Sequence, residues 1–69
     1  MNNKIWYIVI RQPEGEEEYY DYSTMAGTAH FARHRAVENE KTIGKPYWKA
    51  NPAIGIARIE LVERERIKW

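Results

Sequence analysis

The sequence predicts a small α+β domain of ββαβ order, residues 1–69, with a three-stranded antiparallel sheet (order 2-1-3) packed against one helix. Three observations carry this expectation. Residues 4–11, Lys-Ile-Trp-Tyr-Ile-Val-Ile-Arg, are dense in β-branched and aromatic types, apolar on both alternating faces. From residue 25 the apolar spacing lengthens to helical steps. From residue 54 to 62 it returns to a strand-like run. At 69 residues and 8.2 kDa without a cysteine, the chain has neither disulfides nor cysteine-ligated zinc to support a thin core. The compensation is expected from nine aromatics, three of them Trp, from self-association, or from both.

The first strand, 4–11, places Trp6, Ile8 and Ile10 on one face and Ile5, Tyr7 and Val9 on the other. A strand apolar on both faces belongs in the centre of a sheet. Gln12-Pro13-Glu14-Gly15 fits a type I turn, with Pro at its second position and Gly at its fourth. A second strand follows over 18–22, with Tyr20 and Tyr22 on one face and Tyr19 on the other. Ser23 or Thr24 is the expected helix cap. Met25, Ala29, Ala32 and Ala36 then step along one helical stripe, widened by Ala26 and Val37. The helix is expected to end near Lys41, with Gly44 and Pro46 preventing continuation.

Residues 42–53 read as a connection, and 54–62 as the last strand. Ile54 and Ile56 share one parity there, Ile59 and Leu61 the other, so a bulge near Ala57-Arg58 is expected. Residues 63–69 alternate in a way that prolongs the strand, with Arg64, Arg66 and Lys68 on one face. A hairpin followed by a helical crossover makes the last strand antiparallel to the first. One helix covers one sheet face, so the other face is expected to meet a second copy of the chain or another partner, unless the connection 42–53 folds back over it.

The net charge of +1 is segregated. Glu14, Glu16, Glu17, Glu18 and Asp21 give residues 14–21 a charge of −5, and residues 33–49 carry +3. A dipolar surface of this kind orients a charged protein partner, unless the two segments meet and neutralise each other within one molecule. No apolar run approaches the roughly 20 residues that span a bilayer. Met1-Asn2-Asn3-Lys4 precedes an apolar run of six residues without a small-residue cleavage site, so a cytoplasmic location is expected.

No catalytic signature is present, and the chain is expected to be neither an enzyme nor a cofactor carrier. There is no glycine-rich phosphate loop and no cysteine nucleophile, and Ser23 with either histidine lacks the rest of a triad. His30, His34 and Glu38 share a helical ridge of metal-ligand spacing. Arg33 and Arg35 beside it oppose a cation, so a solvated face is expected and no metal. Phe31 falls outside the apolar stripe, among Arg and His, as an interface anchor does, unless the connection after the helix covers it. Lys45-Pro46-Tyr47-Trp48-Lys49 joins two amphipathic aromatics to two bases, with Trp48 expected to plug the core and Tyr47 to remain outside.

The expected partner-binding residues are therefore Phe31, Arg35, Lys45, Tyr47 and Lys49, with the acidic run from Glu14 to Asp21 as a second surface. An alternative is a nucleic-acid surface of Arg33, Arg35, Lys45, Trp48, Lys49, Arg64, Arg66 and Lys68. The cysteine-free α+β form without catalytic residues is similar in kind to small bacteriophage accessory proteins, including anti-CRISPR inhibitors of host defence. That likeness is one of size and style. It transfers no residue roles, and the expected function is a non-enzymatic protein-binding module that self-associates and acts as an inhibitor or adaptor.

Overall fold

A computed structural model describes residues 3–62. The elements run β1 (Asn3–Arg11), β2 (Tyr19–Ala26), α1 (Ala29–Ile43), α2 (Lys45–Ala50) and β3 (Ala53–Val62). The sheet order is β2-β1-β3, with β1 antiparallel to both neighbours. This is the small α+β domain with a 2-1-3 sheet and one main helix.

The turn after β1 forms one residue later than its composition suggests. Glu16 N donates to Pro13 O, and Gly15 takes the third position with φ of 75°, the left-handed region that a type II turn requires there. The β1–β2 pairing is then interrupted. Tyr7 faces Ala26 and Val9 faces Asp21, so residues 22–25 of β2 span what Ile8 alone spans on β1.

That irregularity moves the helix start. The hydroxyls of Ser23 and Thr24, both expected helix caps, are engaged in the sheet instead. Thr24 Oγ1 accepts from Val9 N at 2.8 Å and donates to Asp21 O at 2.7 Å, standing in for the missing ladder partner. Met25 and Ala26 consequently finish β2 rather than open the helix. Thr28 is the cap, its Oγ1 accepting from Phe31 N at 3.1 Å.

The core lies between α1 and one face of the sheet. Val9, Ala26, Ala32 and Ala36 are buried together, with Tyr7 and Ile56 packed against them. Alanines on the helix stripe let it lie close to the strands. Val37 does not widen that stripe; it is 44% exposed. Gly44, with φ of 104°, ends α1 and redirects the chain into α2, where the sequence suggests a loop. Pro46 explains the difference: it cannot continue α1, yet its fixed φ suits the first turn of the next helix.

β3 pairs with β1 without interruption from Ile5↔Glu60 to Ile10↔Gly55. The single register shift lies between Ile10 and Arg11, at the start of β3, and not near Ala57-Arg58. No bulge is needed there because β3 serves two faces. Ile56 pairs with Val9 on the helix side, and Ile59 pairs with Trp6 on the other. Ile54 is set out at the irregularity and exposed.

Among the described residues, no helix is long and apolar enough to cross a membrane.

Candidate functional site

Two features stand out once the side chains are placed: a polar latch on the helix side, and an aromatic surface on the opposite face.

The latch is built on Arg11. Its side chain is completely buried, and Nε donates to Asp21 Oδ2 at 2.8 Å. Nη1 donates to the carbonyl of Asn51 at 3.0 Å, at the end of α2. The guanidinium carbon lies 3.9 Å from the centroid of the Trp48 ring, a cation–π stack. Trp48 is 7% exposed, and its Nε1 donates to Asn39 O in α1 at 3.0 Å. Tyr19 Oη donates to Asn51 Oδ1 at 3.2 Å, and Asn39 Nδ2 to Ser23 Oγ at 2.8 Å. Arg11 Nη2 finds no acceptor among the described residues, a cost that the indole face helps to offset. One arginine thus ties β1, β2 and α2 together, and Trp48 carries the connection into α1. This arrangement holds structure, and its buried charge is matched by Asp21 rather than offered to a ligand.

The opposite face follows from strand alternation. Val9 and Tyr7 face the helix, so Trp6, Ile8 and Ile10 face away from it. Pairing adds Tyr20 beside Ile10, Ala57 beside Ile8 and Ile59 beside Trp6. Ile8 is buried at the centre, Trp6, Ile10 and Ile59 are half-buried, and Tyr20 is exposed. Tyr22, 68% exposed, meets Tyr20 edge-on with ring centroids 6.5 Å apart. Between Lys4 and Gln12, no charged residue occupies this face of β1. Among the described elements, neither helix covers it. Trp6 belongs to this surface.

The expected site residues separate. Phe31 is 57% exposed in the first turn of α1, its ring 5.5 Å from that of His30, and Arg33 and Arg35 are exposed on the same helix. Trp48 sits beside Asn39, eight residues along from Phe31, about 12 Å of helix rise. Phe31 and α2 therefore lie toward opposite ends of α1. Lys49 is exposed and lines a shallow cleft with Gln12, Glu14, Glu16 and Pro52, so one basic residue borders the same cleft as the acidic turn. The side chains of Lys45 and Tyr47, and Arg64, Arg66 and Lys68, lie outside the described residues.

Two expectations need correction. Asp21 is not part of a free acidic surface, because it is the counter-ion of Arg11. The Trp48 ring, expected to be open for base stacking in the nucleic-acid alternative, is buried against that same arginine. Glu14, Glu16, Glu17 and Glu18 remain exposed around the turn. Among the described residues, no group of three or more His, Cys, Asp or Glu is placed to hold a metal.

Sequence reasoning missed Arg11 as a core residue and the tyrosine face as a surface. The one available signal was Arg11 continuing the parity of Tyr7 and Val9, which puts it on the covered face. Compared with family models, curated proteins and solved structures, the chain matches none.

Proposed function

We propose that this chain is a non-enzymatic protein-binding module, a small inhibitor or adaptor that blocks a partner surface with the helix-free face of its sheet. The observation that carries this reading is the charge-free patch of Trp6, Ile10, Tyr20, Tyr22 and Ile59. Trp and Tyr supply much of the energy of protein interfaces, because they bury large area for little side-chain entropy. The exposed glutamates of the β1–β2 turn follow directly from the Ile10 end of this face. They suit a partner whose apolar patch is bordered by Lys and Arg, and such a rim speeds encounter and sets orientation. A nucleic-acid reading has less support, since burial of Trp48 takes away its stacking ring.

The test is affinity capture from the native host with tagged wild type, Tyr20→Ala/Tyr22→Ala and Phe31→Ala, circular dichroism first establishing that each is folded. A protein held by wild type and Phe31→Ala, lost with the tyrosine double variant, and released by rising salt is the expected result. A partner held equally by the tyrosine variant would overturn the assignment.

A further inference from the structure

β3 is an edge strand of unusual regularity for so small a protein. It is ten residues long, and it pairs with β1 uninterrupted across residues 55–60. Among the described residues nothing pairs with its outer side. The usual defences of an exposed edge are Pro, Lys, bulges and inward charges. From Gly55 to Val62 there is no Pro and no Lys, the one register shift lies before this stretch, and its two helix-side charges, Arg58 and Glu60, are of opposite sign and lie beside each other. α1 packs chiefly across β2 and β1, leaving the β3 side of the sheet open to approach.

The charges on this strand are self-complementary. Arg58 and Glu60 pair with Tyr7 and Ile5, so both lie on the helix side of the sheet. They are two residues apart, half-exposed, and 3.9 Å from each other. An antiparallel pair of identical strands, related by a two-fold axis normal to the sheet and centred on Ile59, sets Arg58 opposite the second copy's Glu60, and Glu60 opposite its Arg58. On the other face Ile59 meets its own symmetry mate. Registers centred on Arg58 or Glu60 instead place like charges opposite each other, which is destabilising. The charge pattern therefore selects one register out of the neighbouring ones.

We infer that β3 is a self-pairing edge: two copies of this chain join antiparallel through β3, centred on Ile59, into one six-stranded sheet with the helices on one side. The outward N–H and C=O groups of each β3 find partners in the other. The interface is isologous, so it closes at two copies. This inference is independent of what docks on the tyrosine face.

The test uses the full chain in sedimentation equilibrium at low salt, with Arg58→Glu, Glu60→Arg and their equimolar mixture. Wild type is expected to dimerise. Each single reversal sets two like-charge pairs across the axis and weakens dimerisation about tenfold. Mixing the two variants restores wild-type affinity, and native mass spectrometry shows the heterodimer, because both carboxylates of one variant then face the two guanidinium groups of the other. Each variant keeps like charges within its own chain, so the rescue reads only contacts between chains. A strictly monomeric wild type, a dimer indifferent to both reversals or broken only by Tyr20→Ala/Tyr22→Ala, or a mixture that stays dissociated would each overturn the inference.

Discussion

On one side of β1, β2 pairs irregularly and is secured by side chains: Thr24 completes the bond of Val9 N, and Asp21 answers Arg11. On the other side, β3 pairs in unbroken register from Ile5↔Glu60 to Ile10↔Gly55 and keeps a regular outer edge along that stretch. The difference is instructive because both strands flank the same central strand. An interrupted strand twists, and its outer groups no longer present a straight row to another chain. A regular strand keeps that row. The β2 side is therefore built for internal cohesion, and the β3 side retains the geometry for association.

Three stability measurements sharpen or break this contrast. The largest effect is expected for Arg11→Ala, which leaves Asp21 unpaired and removes the cation over Trp48. A loss of about 3–5 kcal/mol in urea unfolding is expected, a large part of the total stability of a domain this size. A loss below about 1 kcal/mol would show that the latch does not carry the β2 side. Thr24→Val keeps the shape and removes the hydroxyl, so Val9 N–H is left buried without an acceptor. About 1–3 kcal/mol is the expected cost, again by urea titration. The smallest effect belongs to Arg58→Glu measured at concentrations where the chain is monomeric. Arg58 is half-exposed, and the change is expected within about 0.5 kcal/mol. A larger loss would mean that β3 depends on its side chains for cohesion as β2 does.

Much of the fold is legible in the sequence because local chemistry and tertiary role agree. The β1 run, apolar on both faces, indicates a central strand, and Ala32 and Ala36 mark the buried stripe of α1. The helix start is ambiguous because Ser23, Thr24 and Thr28 are all capable caps. Which hydroxyl caps depends on which one the sheet has already taken. α2 escapes a sequence reading because Pro46 both stops and starts helices. Of the candidate site, Phe31 and the turn glutamates are exposed as their surroundings suggest. The tyrosine face becomes definable only once Val9, rather than Ile8, is known to lie beneath the helix.

The sequence by itself determined the three strands and the main helix, the antiparallel 2-1-3 order and the absence of any disulfide. Period-two and helical spacing are local properties, and short connections leave few topologies for a chain of this length. Only the tertiary structure decided which face of β1 the helix covers, and with it the fates of Arg11, Asp21, Trp48 and Trp6. A strand apolar on both sides has no local preference between them. The choice rests on packing between residues distant in sequence: Val9 against Ala32 and Ala36, and Arg11 against Trp48.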